Sequence, residues 1–200
     1  AVRHGRALLR QPWYIAFTLI SPIVYLVLFS ALFGRVVDIP GFGATSYLTY
    51  LTPGIAVMSA LYAGGWAGMG VIEDVNAGVT DRFLVSPIWR GALIAGMLLQ
   101  LAVVIVIQTA IIVVLGALLG ASFPGGVPGI VAMTGASILL GCAVGALSAG
   151  LALIVRQEES IIGASQFVIL PMTFLSSLFM AQLLLPDWMQ TVAGLNPANW

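Results

Sequence analysis

The sequence predicts an all-α fold, a polytopic membrane helix bundle with five spans present. Three observations carry this. The chain is 60% hydrophobic and only 7% charged, where a water-soluble domain carries about 25% charged residues. Mean hydropathy is +1.10. The fourteen charged residues are gathered into short clusters, leaving charge-free intervals long enough to cross the roughly 30 Å of bilayer hydrocarbon.

Taken in order, the first segment places Arg3, Arg6 and Arg10 at helical spacing on one side, with Val2 and Leu9 away from them, before Pro12 starts a new helix. Two readings stand: an amphipathic helix lying in the membrane interface, or ordinary positive anchors ahead of a first span. Gln11 to Gly34 carries no charge and is dense in Ile, Leu, Val and Phe, which predicts span one over 12–34. The turn-like Pro40-Gly41-Phe42-Gly43 precedes an apolar run from about Tyr47, and predicts span two over 47–72.

The charge-free stretch Gly91 to Val155 would extend about 97 Å as one helix, so it must fold back. The Pro and Gly cluster from Gly120 to Pro128 is the breaking point, giving spans three (91–119) and four (128–155). Ser160 to Pro186 holds span five over 161–180. Asp187 to Trp200 is too polar and Pro-broken for another whole span. The chain has no initiator Met and stops in Asn196-Pro197-Ala198-Asn199-Trp200, so it is expected to be cut at both ends. The first apolar stretch lacks the small-residue cleavage site of a signal peptide.

An N-terminus on the cytoplasmic side places Arg3, Arg6, Arg10, Arg82, Arg90 and Arg156 inside and only Arg35 outside, as the positive-inside rule requires. Trp13 and Trp89 then fall near the inner interface, and Phe123 and Trp188 near the outer one.

Residue types exclude several chemistries. With no Lys there is no Walker A loop and no lysine nucleophile, so ATP is not hydrolysed on this chain. One Cys and one His leave no internal disulfide and no His/Cys zinc cluster. Zero formal net charge argues against nucleic acid as a partner. No charge lies inside a span, which counts against a proton- or sodium-driven transporter.

Ser137, Gly141, Gly145 and Ala149 recur every four positions on one face of span four, and Gly64 and Gly68 do so in span two, a pattern that lets helices approach closely. Arg156-Gln157-Glu158-Glu159-Ser160 reads as a short, solvated inner loop. The stretch Glu73 to Arg90 holds five of the fourteen charges between two apolar spans. It is longer than a bare connector and is bounded by Asn76-Ala77-Gly78 and Pro87. It reads either as a solvated loop or as a short cytoplasmic helix that touches a partner.

Within it, Asp74-x3-Gly78-x3-Arg82-Phe83-Leu84-x-Ser86-Pro87-Ile88-x-Arg90 resembles the cytoplasmic loop of type-2 ABC-transporter permeases, particularly the daunorubicin-resistance-like group. Other segments agree in order. Arg10-x-Pro12 with Leu19-Ile20-Ser21-Pro22 and Leu28 to Gly34 resembles that group's first span, and Tyr50-Leu51-Thr52-Pro53-Gly54-Ile55 its second. Pro171 to Phe179, Leu185-Pro186-Asp187-Trp188-Met189-Gln190 and Leu195-Asn196-Pro197 resemble its fifth span and outer loop.

The resemblance implies an interfacial elbow helix over residues 1–11, six spans in the full chain with the sixth beyond this sequence, and a short re-entrant outer loop over 181–200. It also implies a coupling helix in 73–90 that docks on a separate ATPase subunit, with Asp74, Gly78, Asp81, Arg82, Phe83, Leu84 and Pro87 at that interface. No cofactor is expected on this chain itself, since ATP would be bound by the partner. The expected function is that of a permease subunit in the bacterial cytoplasmic membrane, paired with a second permease copy or a relative and exporting an amphipathic drug-like or lipid-linked substrate. Two rival classes are an integral membrane enzyme acting on lipids and a non-catalytic assembly or channel protein. The enzyme would need a cluster of acid, base or metal ligands near an interface, and the only dense cluster, Glu73 to Arg90, has no His or Cys.

Overall fold

The computed structural model describes residues 12–38, 46–78 and 91–199. The elbow segment with Arg3, Arg6 and Arg10, and the stretch with Asp81, Arg82, Phe83, Leu84 and Pro87, lie outside the described residues. Every regular element among the described residues is helical. The α-helices are α1 (Pro12–Phe33), α2 (Tyr47–Asn76), α3 (Gly91–Leu118), α4 (Gly126–Val155), α5 (Glu158–Phe174) and α6 (Asp187–Leu195). Short 3-10 turns follow α1 at Gly34–Asp38 and flank α6 at Gln182–Leu184 and Pro197–Asn199.

Among the described residues four helices are long and apolar enough to cross a membrane: α1, α2, α3 and α4. At 1.5 Å per residue, α2 and α4, with 30 residues each, reach about 45 Å, enough for the hydrocarbon and part of both interfaces. Consecutive helices alternate in direction. One end of the bundle, here the cap end, therefore gathers residues 34–38, 119–125 and 175–199, and the opposite end is the base.

The core is built around α2. More than half of it (56%) is buried, against 11% of the Ile20–Val37 segment. On the cap side Leu48, Leu51 and Ile55 of α2 pack with Leu26 of α1, Ile112 of α3 and Leu178. At the base Ile72 of α2, Ala152 of α4 and Ile161 of α5 close together. The outward faces carry large exposed apolar side chains such as Leu118, Leu139, Leu147, Ile154 and Phe167. Water would not tolerate that surface, but lipid does, because it offers these side chains the same apolar surroundings as the core.

Several expected boundaries move. Helix α2 runs one turn past residue 72, to Asn76, and carries Glu73 and Asp74 within its last turn. Helix α4 begins at Gly126, with Pro128 in its first turn, where an N–H would have no intrahelical partner anyway. The expected inner loop at 156–160 shrinks to Arg156 and Gln157, because Glu158 and Glu159 already form the first turn of α5, where negative charge favours the positive end of the helix dipole. Helix α5 stops at Phe174 instead of reaching 180. Its 17 residues rise about 26 Å, the lower limit for a span.

Candidate functional site

Three regions of the bundle place the residues of interest: the exit from α2 at the base, the seam between α2 and α4, and the cap. At the base, the Ala77 N–H bonds the Glu73 carbonyl at 2.9 Å and the Gly78 N–H bonds the Val75 carbonyl at 3.0 Å. Gly78 has φ +65 with open space where a Cβ would sit, so backbone conformation alone favours glycine there. The chain thus leaves α2 in a set direction. Asp74 is half-buried and Glu73 exposed in the preceding turn. At the neighbouring exit from α4, Arg156 ends the helix at φ 55, its N–H on the Ala152 carbonyl at 3.0 Å.

In the seam, α2 and α4 run parallel and touch through backbone. A Cβ on Gly64 would fall on the Gly141 carbonyl oxygen and come within 3.1 Å of the Gly145 nitrogen. A Cβ on Gly141 would lie 2.9 Å from the Ala60 carbonyl oxygen, and one on Gly68 would lie 2.6 Å from the Ser148 carbonyl oxygen. Gly145 also faces α2, but its tightest neighbour is the Leu101 side chain of α3 at 2.5 Å. Ser137 and Ala149 are buried one turn to either side of the Gly141 and Gly145 pair.

Polar bonds reinforce this seam. The Ser148 hydroxyl donates to the Gly65 carbonyl at 2.5 Å and accepts from the Gly68 N–H at 3.2 Å. The Ser165 hydroxyl of α5 donates to the same Gly65 carbonyl at 2.8 Å. One carbonyl of α2 therefore ties three helices together. The sequence reading singled out neither Gly65 nor Ser148 nor Ser165.

At the cap, α5 has ended and the backbone from 175 onward runs irregularly against the first two turns of α2. A Cβ on Gly54 would lie 2.5 Å from the Leu178 carbonyl oxygen. Irregular backbone at membrane depth must have its polar groups satisfied by protein. Side chains do this. Tyr47 donates its hydroxyl to the Phe179 carbonyl at 2.9 Å, and Tyr50 donates to the Ser177 carbonyl. Asn196 returns to α5, its amide donating to the Met172 carbonyl at 2.7 Å and to the Leu175 carbonyl at 3.3 Å, while its oxygen accepts from the Ala198 N–H at 3.0 Å. The Asn199 side-chain oxygen accepts from the Ser177 N–H at 3.2 Å and from the Ser177 hydroxyl. Beside them the Phe179 ring packs at a tilt against Phe29 of α1, at 5.0 Å between ring centres, and against Phe174, at 5.9 Å.

These bonds hold a short folded-back segment on the face of α2, and they connect it through α2 to the base. Comparison with known proteins agrees with a transporter architecture. The family model described as ABC-2 type transporter matches residues 1–200. A daunorubicin resistance ABC transporter permease protein, DrrB1, of Streptomyces coeruleorubidus is 31% identical over 90% of this chain and 62% of its own length. Two putative transport permeases named ycf38, from Cyanophora paradoxa and Porphyra purpurea, are each 26% identical over 96% of this chain and 66% of their own length. The chain thus spans just under two thirds of the curated relatives it matches. No solved structure matches it. With a family model covering every residue and a multi-pass apolar bundle beneath it, the chain belongs to the ABC-2 type transporter family.

Proposed function

We propose that this chain is the membrane-spanning permease part of an ABC exporter, with ATP bound and hydrolysed on a separate ATPase subunit and with no cofactor of its own. The observation that carries the reading is the position of α2. It runs directly into the charged stretch 77–90, and it is also the helix against which α4, α5 and the cap segment are fastened. A displacement applied to that stretch is delivered to α4 and α5 through the Gly65 carbonyl, and to the cap through Tyr47 and Tyr50.

In this reading Asp74, Gly78, Asp81, Arg82, Phe83, Leu84 and Pro87 form the ATPase-facing surface, with Asp81 and Arg82 at its rim and Phe83 and Leu84 as anchors in an apolar pocket of the partner. The base faces the cytoplasm of a bacterium, and the elbow residues Arg3, Arg6 and Arg10 lie in the inner interface. A second copy or a related permease completes the path. The substrate is amphipathic, drug-like or lipid-linked, a class supported by the daunorubicin resistance named for the DrrB1 relative.

The test is coexpression of the full-length permease with its cognate ATPase. Anchor truncation at an interface costs about 2 kcal/mol or more, so Phe83→Ala is expected to weaken pull-down and lower transport while membrane insertion is unchanged, and Asp81→Asn to matter less. Full assembly and transport in Phe83→Ala would overturn the coupling role. Orientation is read separately in a Cys142→Ser background. Pro124→Cys, in the exposed turn between α3 and α4, is expected to react with an impermeant thiol reagent from outside, and Asn76→Cys is not.

A further inference from the structure

Three polar side chains deep in the bundle each have an oxygen with no hydrogen-bond partner among the described residues: Gln108 and Thr109 on α3, and Ser137 on α4. All three are shut in, with Gln108 4%, Thr109 1% and Ser137 0% exposed. Their condition is unusual for this bundle. Thr52, Thr134 and Thr173 each send their hydroxyl to the carbonyl four residues earlier, at 2.7 to 2.9 Å. Thr109 and Ser137 do not.

Helix register puts Thr109 and Ser137 at one level, with Gln108 next to Thr109 in the same turn of α3. The Leu101 side chain meets the Cβ position of Gly145 at 2.5 Å, and the Ile105 side chain meets that of Gly141 at 2.5 Å. Because α3 and α4 are antiparallel, the next turn toward the cap brings Thr109 opposite Ser137. The third wall is α2. Ala60 lies against Gly141, so in the parallel α2–α4 pair the turn above puts Ala56 beside Ser137. The Ala56 carbonyl already accepts the Ser59 hydroxyl at 2.8 Å. Ser137 stands eleven residues inside α4, about 17 Å from its start, which is mid-depth in the membrane.

We propose that this junction of α2, α3 and α4 is a binding site for one water molecule, held by the Gln108 side-chain oxygen, the Thr109 hydroxyl and the Ser137 hydroxyl. A buried water makes about three hydrogen bonds to groups that otherwise lack partners. The stereochemistry suits it: the amide oxygen accepts one water hydrogen, and each hydroxyl donates or accepts as needed. A cation is disfavoured, since residues 91–155 contain no charge. A lipid or drug is too large for a site walled by fully buried side chains. The bridge gives α3 an exchangeable attachment to α4, unlike the direct bonds between α2 and α4.

The test uses the full-length permease in nanodiscs with Thr109→Val and Ser137→Ala, alone and together. Both changes nearly preserve shape. With water bound, each removes a hydrogen bond and is expected to lower Tm by about 2–4 °C. The double variant should lose less than the sum, because the two hydroxyls share one guest. Radiolytic hydroxyl labelling of the parent is expected to mark Ile105 and Ile112, which are buried but flank the site, and the mark should fade in the double variant. Unchanged or raised Tm in both single variants overturns the proposal, as does the absence of labelling at Ile105 and Ile112 in the parent.

Discussion

The two halves of α2 share a close glycine approach to backbone, at Gly54 toward the cap and at Gly64 and Gly68 toward the base, and otherwise are fastened to their neighbours by different means. Toward the base, Gly64 and Gly68 remove side chains so that backbone meets backbone across the seam with α4, and Gly65 makes room for Ile169 and Ser165 of α5. Toward the cap, Tyr47 and Tyr50 extend long side chains to reach carbonyls of the irregular segment 177–179. In lipid there is no hydrophobic drive between helices, and association rests on close packing and interhelical hydrogen bonds. A regular helix has its backbone satisfied and needs only proximity. A broken one needs donors brought to it. Each half of α2 supplies what its neighbour lacks.

The seam should fail most severely when side-chain volume is restored. Gly64→Leu places carbon on the Gly141 carbonyl oxygen, an immovable backbone atom, so the helices must separate. We expect a loss of about 3 kcal/mol or more, beyond the usual range for overpacking because backbone must shift, seen as a lowered Tm or failure to recover the folded permease from detergent. Gly141→Leu should behave alike, because the Ala60 carbonyl oxygen stands 2.9 Å from its Cβ position, while Gly145→Leu should be milder, since beyond the end of the flexible Leu101 side chain its nearest backbone atom is 3.6 Å away. Equal effects at Gly64 and Gly145 would mean that the seam is looser than backbone contact.

The cap should fail when a donor is taken away. Asn196→Ala leaves the Met172 and Leu175 carbonyls without their side-chain donor and the Ala198 N–H without its acceptor. The expected cost is about 1–3 kcal/mol, that of stranding a buried polar group, and it should be local. Hydrogen exchange is expected to rise across 175–199 while the amides of α2 and α4 near the seam keep their protection. A uniform rise across both regions would show that the cap and seam unfold as one unit.

Ser148→Ala probes a place where the seam also relies on a donated bond. It removes the contacts to the Gly65 carbonyl and the Gly68 N–H but leaves the glycine packing in place. Interhelical hydrogen bonds of this kind in membrane proteins contribute about 0.6 kcal/mol on average and about 1.7 at most. A Tm decrease smaller than that of Asn196→Ala is therefore expected. A larger one would make hydrogen bonding, instead of close approach, the main attachment in the lower half of α2.

The sequence disclosed the lower half better than the upper. Charge-free intervals revealed the four long helices, and small residues four apart pointed to the faces carrying Gly64, Gly68, Gly141 and Gly145. Those signals are local and periodic. The early end of α5 at Phe174 was hidden because the segment after it, Leu175 to Met180, is as apolar as a span; only Pro171 and the pair Ser176-Ser177 hinted that the helix breaks. The partners Ser148 and Gly65 lie 83 residues apart, and Tyr47 and Phe179 lie 132 apart. Nothing at either position marks such a pairing, since a serine or tyrosine in a span has many uses. Asp74 and Gly78 fall by sequence in a stretch that reads either as a loop or as a short helix; in the structure the first lies in the last turn of α2 and the second just beyond its end.

The smallest expected effect isolates the geometric half of the comparison. Gly68 and Gly70 are two residues apart on the same helix, in the same half of α2, and differ in what they face. A Cβ on Gly68 would lie 2.5 Å from the Ser148 hydroxyl oxygen and 2.6 Å from its carbonyl oxygen, whereas one on Gly70 meets nothing within 4 Å. Gly70 is also exposed and helical, so alanine there adds a methyl group to the lipid side and reduces the freedom of the unfolded chain. Relative to glycine, alanine in a helix interior is worth roughly 0.5–1 kcal/mol. Gly70→Ala is therefore expected to leave Tm unchanged or raise it slightly, and Gly68→Ala to lower it, although both introduce the same single methyl group. If the two variants shift Tm in the same direction, helix propensity governs this stretch of α2, and the close approach to Ser148 contributes little to holding the bundle together.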